Sequence, residues 1–281
     1  MGGWLAIACL VFAKPLVTLV HYAITNDNAS HALLIPFLVA WLLYIEGKVI
    51  FTDPAHDVAA GSLVMAGAVV STCWAFFAET RLHSPDALTY YILAFVLTCL
   101  AGLSFILGRK TLRKGSFAFL FLFLLIPLPS YILDPVVRYL QHGSAMIASA
   151  IFDVAGVPVL RDGLTFRLSR ASIEVAPECS GIRSSLALLI LALLICHFSF
   201  RPLWKKAIFV AVGLFITIVK NGVRIATLTL LANYVDPGFL YGNLHREGGI
   251  LFFLIGLLLL LPVYWLLKRY GNELQTASSP F

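Results

Sequence analysis

Glu174-Val-Ala-Pro-Glu-Cys-Ser-Gly-Ile-Arg-Ser-Ser185 runs directly into Leu-Ala-Leu-Leu-Ile-Leu-Ala-Leu-Leu-Ile-Cys196. The apolar run that opens at Ile182 and closes at Phe200 has the length and composition of a membrane helix, and Pro177 and Gly181 punctuate its entry. Cys179 therefore stands where a helix emerges into water. The N-terminus of that helix favours a thiolate over a thiol. Glu178 and Glu174 oppose a second negative charge, so a reactive Cys179 needs cations nearby.

Working outward, the 281 residues are 60% hydrophobic and only 12% charged, too little polar surface to cover a soluble domain. A span of hydrocarbon takes about 20 mostly apolar residues, and lipid offers the backbone no partner, so the spans are read as helices. The fold class expected is an all-α polytopic membrane protein, a single integral membrane domain over residues 1–281. About eight spans are expected: Trp4 to Val20, His31 to Phe51, Val58 to Ala78, Leu88 to Gly108, Gly115 to Ile132, Ile182 to Phe200, Leu203 to Ala232 and Ile250 to Leu267. The first run lacks a basic leader and a small-residue cleavage site and is kept in the mature chain. Cys9, Cys73, Cys99 and Cys196 fall inside spans, where a thiol acts as a small hydrophobe.

The net charge of +6 is a topology signal rather than a nucleic-acid footprint, because the basic residues cluster in short loops. Arg109, Lys110, Arg113 and Lys114 follow span four, Arg201, Lys205 and Lys206 flank spans six and seven, and Lys268 and Arg269 follow span eight. Read as cytoplasmic, these loops put both termini, including the short tail 271–281, on the cytoplasmic side of the cell membrane and turn Cys179 outward. The loop from Glu46 to Asp57, with Lys48 alone, supports the scheme least.

Residues 133–181 are too many for a plain loop. Asp134 to Phe152 alternates apolar Val136, Leu140, Met146, Ile147 and Ile151 with Arg138, Gln141 and His142, the pattern of an amphipathic helix at a bilayer surface. The period then changes to two through Val157, Val159, Leu164, Phe166, Leu168, Ile173 and Val175, with turn signals at Asp162-Gly163 and at 169–172. Two small β-hairpins follow from it, delivering Cys179 to its helix.

Span seven carries Lys220, Asn221 and Arg224 in otherwise apolar sequence. At about 1.5 Å per residue, Arg224 lies roughly 30 Å from Leu203, at the outer boundary with Cys179. An arginine there either snorkels to headgroups or serves a site. His245 precedes span eight at the same level, where it is either a solvated imidazole or a proton carrier, and His21, His31 and His142 compete for the second role. The starts of spans six and eight and the end of span seven share one membrane level, so thiol, guanidinium and imidazole can meet there, an arrangement that activates a thiol for acyl transfer. Arg183, about one turn beyond Cys179, either offsets Glu178 or anchors at the interface. Asn221 shares a helix face with Arg224 and can orient it or bond across helices. Lys220 either pairs with an acidic group or lines a wet cavity.

Glu178-Cys179-Ser180-Gly181-Ile182-Arg183-Ser184, Asn221-Gly222-Val223-Arg224-Ile225 and His245 followed by Gly248 resemble the motifs of the exosortases and archaeosortases, membrane-embedded cysteine transpeptidases of about eight spans. Ser30-His31-Ala32 resembles a further family motif, with Ala32 where the family has glycine. The resemblance implies Cys179 as nucleophile with Arg224 and His245 as catalytic partners; Glu178, Arg183, Ser184, Asn221 and His31 stand as supporting residues. It also implies a secreted substrate whose C-terminal sorting tail carries a short motif such as Pro-Glu-Pro, one transmembrane helix and a basic cluster. No cofactor and no metal are expected, and no His-Glu-x-x-His spacing supports a metalloprotease. A protease acting by hydrolysis alone, or a transporter or scaffold with polar residues in span seven, remains an alternative reading of the residues.

Overall fold

The computed structural model describes residues 2–52, 54–81, 86–168, 172–176, 180–240 and 243–277, with only the backbone described for 237, 240, 243–248 and 271–277. Two of the expected site residues, Glu178 and Cys179, lie outside the described residues. The chain forms two compact units, Met1–Leu133 and Asp134–Phe281. Five described helices are each long and apolar enough to cross a membrane, and seven spans result if each of two bent helix pairs is one. The protein is an all-α polytopic membrane protein carrying one small sheet.

In the first unit, α1 (Gly2–Val11) and α2 (Ala13–Thr25) are the two arms of the first apolar run, bent by 76° at Phe12. Pro15 supplies the cause, because its ring meets the carbonyl of Val11 four residues back and its nitrogen donates nothing. Helix α3 (Ile35–Ile50) has 16 residues and rises about 24 Å, short of a full span. Helices α4 (Val58–Thr80) and α5 (Ala87–Lys114) pack as a hairpin. Gly108 breaks α5 with φ 77° and ψ 170°, so the basic residues from Arg109 to Lys114 form a separate helical stub beyond the apolar part.

The expected fifth span, Gly115 to Ile132, is not one helix. Helix α6 (Ser116–Phe121) tightens into a 3-10 turn over Leu122–Leu125, and Pro127 and Pro129 keep the chain extended before α7 (Ser130–Val154). The exposed backbone at the break finds partners: the Thr89 hydroxyl donates to the Pro127 carbonyl at 3.0 Å. Asp86 accepts from Ser130 N–H at 2.8 Å and from its hydroxyl at 2.7 Å, capping α7.

In the second unit α7 leads into an antiparallel sheet of β1 (Leu160–Asp162), β2 (Thr165–Arg167) and β3 (Ser172–Glu174), the two expected hairpins in one meander. The sheet is tied to α7 by Phe166 stacked edge-on against Phe152, centroids 5.3 Å apart, and by Gln141 Nε2 donating to the Val175 carbonyl at 2.7 Å. One face of α7 packs on the protein. Val137, Leu140, Gln141, Ser144, Ala145, Ala148 and Phe152 point inward, whereas Val136 and Met146 are exposed. Lipid is as apolar as a core, so Val136 and Met146 lose little by facing outward, while Ser144, Ala145 and Ala148 allow close helix contact.

Helices α8 (Ile182–Ser199), α9 (Leu203–Tyr234) and α10 (Asn243–Ala277) then pack against one another. Successive contacts run in opposite order, with Cys196 near Lys206, Ala192 near Gly213 and Ser184 near Lys220, so α8 and α9 are antiparallel. Lys205 donating to the Leu267 carbonyl at 2.6 Å and Lys220 lying against Gly256 set α10 antiparallel to α9 as well.

Candidate functional site

The turn before α8 is where the cysteine-bearing segment enters the bundle. Gly181 adopts φ 73° and ψ 17°, left-handed backbone that glycine enters without strain. A second constraint acts at the same residue, since a β-carbon on Gly181 would lie 2.7 Å from Asn221 Oδ1. The turn and α9 are therefore in direct contact, and the contact needs a residue without a side chain. The Gly181 carbonyl accepts three bonds that bind it into α8: from Ser185 N–H at 2.9 Å, the Ser185 hydroxyl at 2.9 Å and the Ser184 hydroxyl at 3.0 Å. Ser180 is buried, and its hydroxyl has no hydrogen-bond partner among the described residues.

Helix α9 brings the polar side chains. Its buried positions, including Phe209, Gly213, Ile216, Thr217, Lys220, Asn221, Ile225, Leu228, Thr229 and Ala232, recur every three or four residues and make one inward stripe. Lys220 and Asn221 occupy that stripe at 2% and 1% exposure. Asn221 Nδ2 donates to the Ser144 hydroxyl of α7 at 3.0 Å. The approach of α7 is close because Gly222 has no side chain; a β-carbon there would lie 2.5 Å from Ile147 and 2.9 Å from the Ser144 carbonyl. Lys220 Nζ donates to the Ser184 hydroxyl at 2.5 Å. Arg224 follows one turn later and is half-buried.

The remaining candidates divide as follows. Ser184 and Asn221 are in the cluster. Arg183 is exposed on the first turn of α8. His245 falls in the first turn of α10, which begins seven residues ahead of the expected span start at Ile250, and the described part there is the backbone alone. His31 belongs to the first unit, in the turn Ser30–Leu33, where it bonds the Leu124 carbonyl beside the chain break. Its Nδ1 is buried without a hydrogen bond, and burial lowers its pKa below the ordinary 6.5 while the Leu124 bond opposes the change. Among the described residues no three His, Cys, Asp or Glu side chains gather to hold a metal ion.

Antiparallel order fixes which end of the three-helix packing each residue occupies. Counting from the level where Lys220 meets Ser184 and Gly256, Arg224 is about 6 Å further along α9, and His245 about 16 Å before Gly256 on α10. The Gly181 turn precedes Ser184 on α8. All three elements extend from that level toward the same end of the bundle. Sequence reasoning left Lys220 without a role and did not single out Ser144 or Gly256; no periodicity links residues so far apart in the chain.

A family model described as transmembrane exosortase matches residues 23–262 of this sequence. No curated protein and no solved structure matches it.

Proposed function

Because the chain belongs to the transmembrane exosortase family, we propose that it cleaves the C-terminal sorting tails of secreted proteins through an acyl thioester on Cys179. The observation that carries the reading is the contact of the Gly181 turn with Asn221, one turn from Arg224, which couples the segment bearing the cysteine to the helix bearing the guanidinium. In this reading the Cys179 thiolate attacks the scissile carbonyl and a C–S bond forms. Arg224 faces the oxyanion, a role that suits a group always charged. His245 passes the thiol proton to the departing amine as the C–N bond breaks. An acceptor amine, or water, then attacks the thioester and returns the sulfur to Cys179.

The substrate tail enters the bilayer as its own transmembrane helix, with its short motif held at the outer face and its basic cluster inside. That orientation follows from the basic loops after α5, between α8 and α9, and late in α10. The C-terminus is then cytoplasmic, and the segment that bears Cys179 stands at the outer face.

The test is co-expression of a tail-bearing secreted protein with the wild type, Cys179→Ala and Cys179→Ser. Processing is expected in the wild type alone. Equal processing by all three overturns the reading and favours a transporter or scaffold, for which Cys179 is dispensable. Adding a soluble amine separates transpeptidation from hydrolysis, since a transpeptidase yields an amine-capped product.

A further inference from the structure

The helical stub that ends α5 has two sides of opposite character. Arg109, Lys110, Arg113 and Lys114 are exposed on one. On the other, Thr111 is buried, and Leu112 packs against the apolar cluster of Ile50, Leu103 and Phe119. Positions i, i+1, i+4 and i+5 share a helix face, so charge and packing contact are kept apart.

Both ends of the stub are held by close backbone contacts that leave no room for a side chain. At Gly108 the φ of 77° turns the chain off the axis of the apolar part, and a β-carbon there would overlap the Ala55 carbonyl oxygen. Carbonyls released by the break are taken up by the loop before α4: Ala55 N–H donates to the Leu107 carbonyl at 3.1 Å and His56 Nδ1 to the Phe105 carbonyl at 2.9 Å. At the far end, a β-carbon on Gly115 would lie 2.6 Å from Phe119 and 3.1 Å from Ile50. Lys114 is tied to the Thr52 hydroxyl.

The other three cations are presented but not used. Arg109, Lys110 and Arg113 have no hydrogen bond and no ion pair among the described residues. Of the described carboxylates on neighbouring elements, Asp57 caps α4 by accepting from Ala60 N–H at 2.9 Å, and Glu46 of α3 has a partner of its own.

We propose that the stub binds the headgroup phosphate of an anionic phospholipid in the leaflet where α5 ends. Arg109 follows the apolar run of a membrane-crossing helix directly, which sets its guanidinium at headgroup depth. Guanidinium groups meet phosphate oxygens two at a time, and Lys110 adds a point charge beside them. A straight continuation of α5 would carry Lys114 about 9 Å past Gly108. The break and the Leu112 contact hold the stub against the apolar cluster instead, so its cations stay beside the lipid. This site lies wholly within the first unit and is independent of the cleavage chemistry proposed above.

The test is native mass spectrometry of the full chain released from nanodiscs of equal phosphatidylglycerol and phosphatidylcholine, reading the ratio of the two lipids retained. The wild type is expected to prefer phosphatidylglycerol and to lose the preference at high salt. Arg109→Gln/Lys110→Gln/Arg113→Gln is expected to cut the preference by at least about tenfold, since each cation near a membrane surface contributes roughly fivefold to the attraction of anionic lipid. A charge-matched control in the second unit, Arg201→Gln/Lys206→Gln/Lys268→Gln, is expected to cut it less. Equal loss in the two triple variants overturns the inference, because the preference then follows net charge and not the stub. Equal retention of both lipids by the wild type overturns it too, as does displacement of phosphatidylglycerol by millimolar inorganic phosphate, which makes the site one for a free anion. If the charge variant does not accumulate, Gly108→Ala takes its place: it keeps every charge and collides with Ala55, so a weaker preference is expected and an unchanged one is fatal.

Discussion

The half of α9 up to Ile216 packs on α8 and α10 through apolar residues, and the half beginning at Thr217 meets α8, α10 and α7 first through polar ones. In the first, Phe209 and Ile216 join Leu188, Ala192, Cys196, Phe200, Leu260 and Leu267 in an apolar cluster. In the second, Thr217, Lys220 and Asn221 meet Ser184, Gly181 and Ser144, and only beyond them does a second apolar cluster form, from Ile225 and Ala226 with Ala145, Ala148, Phe152, Phe166 and Val175. The two cysteines attached to α8 divide in the same way. Cys196 is 3% exposed in the first cluster, its thiol donating to the Lys206 carbonyl at 3.7 Å, whereas Cys179 precedes the polar layer. Apolar surroundings hold a thiol protonated and inert. The contrast teaches that one helix supplies an apolar packing layer and a polar layer by exchanging side chains along a single inward stripe.

Mutations can break that division in measurable ways. Phe209→Ala empties a site at 0% exposure in the apolar layer and is expected to cost about 3–5 kcal/mol of stability. Thermal unfolding in detergent reads the loss, while tail processing per folded molecule is expected to be unchanged. Arg224→Ala is the mirror case: processing is expected to fall about 10²- to 10³-fold, worth roughly 3–4 kcal/mol in the barrier, with little change in the melting temperature. A large drop in processing from Phe209→Ala at equal folded protein, or none from Arg224→Ala, dissolves the contrast.

A smaller effect sharpens it. Gly181→Ala forces a side chain into left-handed backbone and against Asn221, an expected cost of about 1–3 kcal/mol. Combining it with Asn221→Ala removes the collision but not the backbone strain, so the double variant is expected to recover part of the stability and none of the lost processing. Full additivity of the two substitutions in melting experiments counts against direct contact between the turn and α9.

Much of this arrangement was legible in the sequence because hydropathy is a strong local signal in lipid. The spans at α4, α5, α8 and α9 lie within a few residues of their expected limits, apart from the basic stub after Gly108. The two hairpins of the β-meander followed from a change of period together with turn signals at Asp162-Gly163 and 169–172. What failed to read out were features set by local backbone chemistry or by distant partners. Pro15 bends one run, and Pro127 and Pro129 divide another, yet proline inside an apolar window barely lowers its hydropathy. Lys220 had no visible role because Ser184 lies 36 residues away and Gly256 is on another helix.

The smallest predicted effect separates the first unit from the polar layer of the second. His31 has its pKa lowered by burial, so the native first unit binds fewer protons than the unfolded chain as the pH drops below about 6.5. Stability therefore falls as pH falls through that window and is indifferent to pH above it, where the imidazole is neutral in both states. His31→Gln is expected to flatten this part of the pH dependence of the melting temperature between pH 7.5 and 5.5. Maleimide labelling of Cys179 at pH 7 is expected to be unaffected by the same substitution, because the neutral imidazole contributes no charge there. If His31→Gln instead slows that labelling, the histidine acts on the nucleophile.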